Sequence, residues 1–123
     1  MAKLLVVDDD KEMLNYLNSI LVAEGHDVQG ESSAAKAVTI SSDYHPDLLI
    51  SDIFMPDMDG FEFIKKIRKL DNDVKILAFS AGGKGFSQGQ TLAAAKDFGA
   101  NAVIAKPFEQ QHLIKVINKL LDT

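Results

Sequence analysis

The sequence predicts a doubly wound α/β fold, in which five strands form one parallel sheet with helices on both faces. Two observations carry this prediction. Short apolar runs of strand length alternate five times along the chain with longer segments whose apolar residues recur at helical spacing. The run at residues 48–50 is continuously apolar, which is typical of a strand buried on both faces of a parallel sheet. Right-handed crossovers are expected between successive strands.

The first strand is predicted over residues 4–7, an apolar run with β-branched residues that stops at three aspartates. A helix follows directly, because Asp10 is a favourable N-cap residue. Gly25 is well placed to end that helix. Five apolar residues between these two points fall on one helix face: Met13, Leu14, Leu17, Ile20 and Leu21.

The second strand is predicted over residues 27–31, a weak and polar segment that is tolerable only at a sheet edge. Ser32 and Ser33 can cap the helix that follows. His45 and Pro46 end this helix. Its inner face is predicted to carry Ala34, Ala37, Val38 and Ser41.

The third strand ends at Asp52 and is followed by a loop rich in Pro, Asp and Gly that extends to Gly60. The third helix is indicated by Phe61, Ile64 and Ile67 at helical spacing. We interpret the basic residues between and after them as a solvated helix face: Lys65, Lys66, Arg68 and Lys69.

The last two strand–helix pairs continue the alternation of strands and helices. A fourth strand is predicted over residues 74–79, and a glycine-rich loop over 81–89 is longer than the usual strand-to-helix connection. A short helix over 91–98 and a fifth strand over 102–105 come next. The final helix presents Leu113, Val116, Ile117 and Leu120 on one face.

Composition narrows the possible classes of function. The chain has 123 residues, of which 46% are hydrophobic and 25% charged, and this predicts one globular domain over residues 1–123. Its net charge of −5 argues against direct binding of nucleic acid or of an anionic membrane. The chain has no cysteine, so thiolate metal sites and disulfides are excluded. Without a signal-peptide pattern or a membrane-spanning run, we expect a soluble cytoplasmic protein without membrane insertion.

Polar residues stand where four of the predicted strands end. Asp8 and Asp9 follow the first strand, Asp52 ends the third, Ser80 the fourth and Lys106 the fifth. Parallel strands bring these ends to one edge of the sheet, where ligands bind in open α/β folds. Two unit charges about 4 Å apart repel by about 4 kcal/mol at an effective dielectric of 20, so three converging carboxylates need a counter-ion. Mg²⁺ suits such oxygen ligands, and a lysine and a hydroxyl beside it indicate a bound phosphoryl group.

Each of these residues also has a purely structural interpretation. The acids after the first strand could cap a helix, and Asp52 could make an Asx turn. Ser80 could bond local backbone, and Lys106 could be a solvated surface charge. These interpretations do not explain why residues of such related chemistry occupy all four strand ends.

Together, the motifs resemble the receiver domain of two-component response regulators, of the chemotaxis-regulator kind. The resemblance extends over the whole chain and implies a flavodoxin-like strand order of 2-1-3-4-5. It is carried, in chain order, by Leu5-Val6-Val7-Asp8-Asp9, Asp52 with Met55-Pro56 and Asp59-Gly60, Ser80-Ala81, and Lys106-Pro107-Phe108.

The resemblance implies a role for each acid. Asp52 would accept a phosphoryl group from a sensor histidine kinase or a phosphotransfer protein, which makes the chain a signalling switch. Asp8 and Asp9 would hold Mg²⁺ together with Asp52 and the backbone carbonyl of Phe54. The chain would then not be an enzyme in the ordinary sense, because it would catalyse only phosphotransfer to, and hydrolysis from, its own Asp52.

The resemblance also implies how the phosphorylated state is read. Lys106 would contact one phosphoryl oxygen, and Ser80 would move to hydrogen-bond another. In the family, the peptide bond before Pro107 is usually cis. The face formed by the fourth helix, the fifth strand and the fifth helix would then bind a downstream protein.

Three features depart from the family pattern. Val103 stands where the family often has Tyr or Phe, so a coupling of the hydroxyl movement to an aromatic rotamer is not available in that form. Phe54 replaces a commonly polar residue, and we hypothesise that its ring shields the acyl phosphate from water. Four glycines in the loop at 82–89 predict a segment that is poorly ordered until Asp52 is phosphorylated.

Other functions stay open at this point. A Mg²⁺-dependent phosphatase with an aspartyl nucleophile would need an acid two residues after Asp52, where the chain has Phe54. A flavin-binding module would need a hydroxyl-rich phosphate loop after the first strand, where the chain has acids. A degenerate receiver that acts by contact alone is a further alternative. The starting Met and the polar end favour a free-standing receiver over a piece of a longer regulator.

Overall fold

The structure, a computed structural model, describes residues 2–53, 58–80 and 88–122, without the side chains of residues 80 and 88–92. The described residues form five strands and five helices that alternate along the chain. These elements are β1 (Lys3–Val7), α1 (Lys11–Ala23), β2 (Asp27–Glu31), α2 (Ala34–Tyr44), β3 (Leu48–Asp52), α3 (Gly60–Leu70), β4 (Lys75–Ser80), α4 (Gln88–Phe98), β5 (Ala102–Ala105) and α5 (Gln110–Leu121).

The five strands form one parallel sheet in the order β2-β1-β3-β4-β5. This order confirms the predicted doubly wound fold. The polar strand β2 lies at an edge, as its composition required, and all five residues of the central strand β3 are buried. The register pairs Val7 with Ser51 and Asp52 with Phe79, so the ends of these strands lie side by side.

Two apolar clusters lie on opposite faces of the sheet, because alternate residues of each strand point to opposite sides. One cluster joins α2, α3 and α4 to the sheet, and its buried members include Leu5, Ala37, Leu49, Phe63, Ile67 and Ala95. The other joins α1 and α5 to the sheet, and its buried members include Leu4, Leu17, Ile50, Phe79, Leu113 and Ile117. The apolar faces predicted for these helices are therefore the faces that they bury.

The predicted helix ends are largely confirmed. The Asp10 side chain accepts hydrogen bonds from the backbone N–H groups of Glu12 at 3.0 Å and Met13 at 3.4 Å. Ser33, rather than Ser32, caps α2. Gly25 follows α1 with a φ of +92°, a conformation that favours glycine. α4 begins at Gln88, so the glycine-rich loop is shorter than predicted.

The prediction that the whole basic segment of α3 is solvated is wrong at Arg68. Its guanidinium donates hydrogen bonds to the carbonyl of Gly99 at 2.8 and 3.0 Å and to the Asn101 side chain at 2.7 Å. It also bonds the carbonyl of Val74. Asn101 in turn accepts the N–H of Ile76 at 2.8 Å. Arg68 therefore ties α3 to the start of β4 and to the connection between α4 and β5.

Candidate functional site

The structure places the predicted site residues at the carboxyl edge of the sheet. Asp8 follows β1, Asp52 and Ser80 are the last residues of β3 and β4, and Lys106 follows β5. The sheet order makes β3 the neighbour of both β1 and β4, so Asp52 lies in the middle of this group. The chain topology alone is enough to bring these residues together.

Three carboxylates converge at this edge. Asp8, Asp9 and Asp52 each offer an oxygen, and these oxygens all lie within 4.8 Å of one another. Asp8 and Asp52 are buried, at 1% and 7% exposure, whereas Asp9 is exposed. Two of the acids are thus buried, and the third is exposed to solvent.

Lys106 bridges the two buried acids. Its Nζ lies 2.9 Å from Oδ2 of Asp52 and 3.1 Å from Oδ2 of Asp8. The ammonium can donate to both at once, and charge-assisted hydrogen bonds of this length are among the stronger ones in proteins. The peptide bond between Lys106 and Pro107 is cis, as expected from the resemblance.

Burial and charge pairing have opposite effects on the pKa values of Asp8 and Lys106. Burial raises the pKa of the Asp8 carboxyl, although the N–H of Asp10 and the Lys106 ammonium both act to lower it. Burial also acts to lower the pKa of Lys106, but the hydrogen bonds and charges of Asp52 and Asp8 outweigh it, and the net shift is upward. The Lys106 ammonium therefore stays charged beside the two acids.

The local charge suits a divalent cation. Three carboxylates and one ammonium leave a net charge of about −2 when all are ionised. A hard divalent cation such as Mg²⁺ prefers carboxylate oxygens and offsets that charge. The three acids thus fit the predicted metal site as far as their residue type, spacing and charge are concerned.

A backbone hydrogen bond connects the residue after β3 to the first residue of α3. The N–H of Gly60 donates a hydrogen bond to the carbonyl of Ile53 at 2.8 Å. Asp59 caps α3 by accepting the N–H of Phe61 at 2.8 Å. The residue after Asp52 is therefore fixed to the helix that leaves the site, which limits how far Asp52 can move.

A row of aromatic rings beside Lys106 was not predicted from the sequence. Lys106 Nζ lies 5.5 Å from the centre of the Phe79 ring. The Phe79 and Phe108 rings stack, with 5.0 Å between their centres and 12° between their planes. The centre of the Phe108 ring lies 6.4 Å from the centre of the Tyr16 ring of α1. One hint was present in the sequence, because Phe79 directly precedes Ser80 and Phe108 follows Lys106 by two residues.

Some sequence-based expectations lie outside the described residues. The carbonyl and ring of Phe54 are among these, as are most of the glycine-rich loop and the side chain of Ser80. The ligand role and the shielding role of Phe54, the hydroxyl movement of Ser80 and the ordering of the loop stay predictions. Val103 is half-buried and packs on the face of the sheet opposite to Phe79.

The burial of the Asp8 carboxylate leads to a prediction about stability. We expect Asp8→Asn, measured by urea unfolding in a chelator, to be more stable than the wild type at neutral pH by on the order of 1 kcal/mol. Because the pKa of Asp8 is raised by folding, its carboxyl favours the folded state below the unfolded pKa of about 3.9 and loses this contribution as the pH rises through the folded value. The advantage of Asp8→Asn should therefore shrink in acid.

Asp43→Asn, at an exposed position of α2, is the matched control for this prediction. Its stability should follow that of the wild type within about 0.5 kcal/mol at every pH. If Asp8→Asn were less stable than the wild type at neutral pH, the charged form of Asp8 would be favoured by its surroundings rather than penalised.

A match to a known protein family identifies the kind of domain that has this arrangement of residues. Residues 4–118 match the family model described as the response regulator receiver domain. The chain belongs to this family. Receiver domains of two-component systems are generally signalling switches, and the acidic cluster of this receiver domain lies where its sequence motifs predicted.

Individual relatives agree with the family match. This receiver domain is 36% identical over 121 residues to the chemotaxis protein CheY of Bacillus subtilis (strain 168), which covers 98% of each chain. It is 28% identical over 119 residues to sporulation initiation phosphotransferase F of the same organism, covering 97% of this chain and 93% of the other. A solved CheY-like response regulator receiver domain protein from Methanospirillum hungatei JF-1 is 29% identical, with a TM-score of 0.90 over 99% of this chain and 94% of the other.

Within the described part of the chain, no helix combines the length and the apolar character that crossing a bilayer requires.

Proposed function

We propose that Asp52 accepts a phosphoryl group from a phosphohistidine of a sensor kinase or phosphotransfer protein, and that this switches the protein between two signalling states. The observation that carries the proposal is the contact of the Lys106 ammonium with the carboxylates of Asp52 and Asp8, beside the exposed acid Asp9. A buried acid at a strand end with a cation at 2.9 Å is suited to phosphoryl transfer, where positioning and charge stabilisation supply most of the catalysis.

The transfer would use one oxygen of Asp52. That oxygen forms a bond to phosphorus while the bond from phosphorus to the donor's imidazole nitrogen breaks, and the electron pair of that bond stays on the imidazole. Lys106 would exchange its contact with an Asp52 oxygen for one with a phosphoryl oxygen. Ser80, at the end of the adjacent strand, would supply its hydroxyl as a hydrogen-bond donor to another phosphoryl oxygen.

The metal part of the proposal follows from the acids. Asp8, Asp9 and Asp52, with the backbone carbonyl of Phe54, would hold Mg²⁺. When bound, Mg²⁺ would offset charge on the phosphoryl oxygens. Asp8 is oriented for this role by the N–H of Asp10, which donates to its Oδ1 at 2.9 Å and leaves Oδ2 directed at Lys106.

The downstream partner would bind the face formed by α4, β5 and α5. A groove of 470 Å³ on this face is lined by residues of β5, of the connection between β5 and α5, and of α5, among them Val103, Phe108 and His112. Its lining residues stand on both sides of Lys106 in the chain, at 103–105 and at 107–109, so a change at the phosphorylation site would reach it through adjacent backbone. The proposal treats residues 1–123 as one receiver domain that acts in the cytoplasm, where kinases present their phosphohistidines, and assigns no direct contact with nucleic acid.

A Mg²⁺-dependent phosphatase is less well supported than a switch. Such an enzyme would need a general acid two residues after Asp52, and the chain has Phe54 there. A degenerate receiver would be expected to have lost part of the acidic cluster or the lysine, and this chain has kept all four groups.

The test is the intact mass of the protein after incubation with acetyl phosphate, with and without Mg²⁺. We expect one phosphoryl adduct on the wild type that requires Mg²⁺ and is absent from Asp52→Asn. Asp97→Asn, at an exposed position of α4, should gain the adduct as the wild type does. No adduct on the wild type, or an equal adduct on Asp52→Asn, would contradict the proposal.

A further inference from the structure

Phe79 provides an aromatic surface for the site lysine. It is the fifth residue of β4, it is fully buried, and its ring centre lies 5.5 Å from the Nζ of Lys106. This separation is within the range at which an ammonium is attracted by the electron-rich face of an aromatic ring. The ammonium of Lys106 is therefore held by two carboxylates and an aromatic ring.

Phe108 fixes the orientation of that ring. The two rings stack at 5.0 Å and are nearly parallel, with 12° between their planes. Phe79 also belongs to the apolar cluster under α1 and α5, where a fully buried side chain has little room to rotate. The ring that Lys106 meets is thus in a fixed place before any ligand binds.

A fixed ring is useful to a lysine at this position. The four-carbon stem of lysine has many rotamers, and 18% of the Lys106 side chain is exposed, so the ammonium could turn toward water. An attractive surface on the protein side of the ammonium opposes that turn and keeps Nζ within reach of Asp52.

We propose that Phe79 is a positioning residue for the reaction at Asp52: its ring, braced by Phe108, holds the Lys106 ammonium between Asp8 and Asp52. This inference rests on the proposed function of Asp52. Its distinguishing feature is that Phe79 acts through Lys106 rather than on the phosphoryl group itself.

The kinetic test compares two buried phenylalanines. We expect Phe79→Leu to lower the rate of phosphorylation by acetyl phosphate about three- to tenfold per folded molecule, the effect of losing one cation–π contact. Phe63→Leu is the matched control, since Phe63 is equally buried but lies in the cluster on the other face of the sheet. Its rate per folded molecule should equal that of the wild type.

A double-mutant cycle separates positioning from packing. In a Lys106→Met background, Phe79→Leu should change the residual rate less than twofold, because the group that it positions is gone. If Phe79→Leu lowers the rate by the same factor in both backgrounds, it acts through packing and the proposal is overturned. Should Phe79→Leu fail to fold, Phe108→Leu, at a half-buried position, is expected to act in the same direction with a smaller factor.

A second measurement does not need the phosphorylation reaction. An aromatic ring facing the end of the Lys106 side chain should move its ε-methylene proton resonance upfield of those of exposed lysines. We expect this shift in the wild type and in Phe63→Leu but not in Phe79→Leu. Absence of the shift from the wild type would overturn the proposal, whereas a missing phosphoryl adduct with the shift present would contradict only the function proposed for Asp52.

Discussion

Gly60→Ala is expected to destabilise the fold by about 3 kcal/mol or more, measured by urea unfolding. A Cβ at Gly60 would lie 2.3 Å from the carbonyl oxygen of Ile53 and 2.4 Å from its Cα. These are backbone atoms, so the contact cannot be relieved by turning a side chain. Either β3 or α3 would have to move, and the hydrogen bond between Gly60 and Ile53 would be stretched.

The same substitution should impair the site among the molecules that do fold. Ile53 directly follows Asp52, so a shift of its backbone moves the Asp52 carboxylate away from Lys106, which now lies 2.9 Å from it. We expect the rate of phosphorylation by acetyl phosphate to fall together with stability.

Gly30→Ala is the matched control for Gly60→Ala. A Cβ at Gly30 would meet only the Cδ2 atom of Leu14, at the ordinary contact distance of 3.7 Å. Its stability should stay within about 1 kcal/mol of the wild type, with a gain as the expected sign, because alanine has less conformational freedom than glycine in the unfolded chain. Equal stabilities of the two variants would show that α3 and β3 do not approach each other as closely as described.

The order of strands and helices was predictable because its signals are local. Asp10 caps α1 through N–H groups two and three residues ahead, a pattern that the sequence shows directly. The continuous apolar run of β3 indicated burial on both faces, and the polar composition of β2 indicated an edge. Both positions are found in the sheet.

The residues that form the site could be predicted for a different reason. Asp8 and Asp52 lie 98 and 54 residues before Lys106 in the chain. Each of the three nevertheless stands where a strand ends, and parallel strands end at one edge of the sheet. This rule names the residues that meet but not the bonds that they make. The bridging position of the ammonium and its contact with Phe79 depend on rotamers and on packing between distant elements, for which the sequence has no local signal.

Arg68 shows the limit of local reasoning most clearly. Helical spacing placed it among exposed lysines, and its residue type agreed with that interpretation. Its partners Gly99 and Asn101 lie 31 and 33 residues away, at the end of another helix. The need for a guanidinium there arises from backbone carbonyls that face one another only in the folded chain.

Lys106→Met is expected to lower stability by about 2 to 3 kcal/mol in a chelator at neutral pH, and to slow phosphorylation by acetyl phosphate at least about tenfold. Methionine keeps much of the stem but removes the positive charge that contacts the buried Asp8 and Asp52, so this charge no longer offsets the repulsion between their carboxylates. Since Lys106 acts to lower the pKa of Asp8, its removal should raise that pKa further. The loss of stability should therefore be largest at neutral pH and shrink in acid, where Asp8 gains a proton.

Lys115→Met makes the same chemical change at an exposed position of α5 and should alter neither stability nor rate measurably. Magnesium then distinguishes the electrostatic role of Lys106 from a packing role. Removing the ammonium changes the charge of the cluster from about −2 to about −3, so added Mg²⁺ should stabilise Lys106→Met by more than it stabilises the wild type. If Mg²⁺ stabilised the two proteins equally, the ammonium would not be the counter-charge of the acids, and the loss of stability would have to be assigned to packing around the lysine stem.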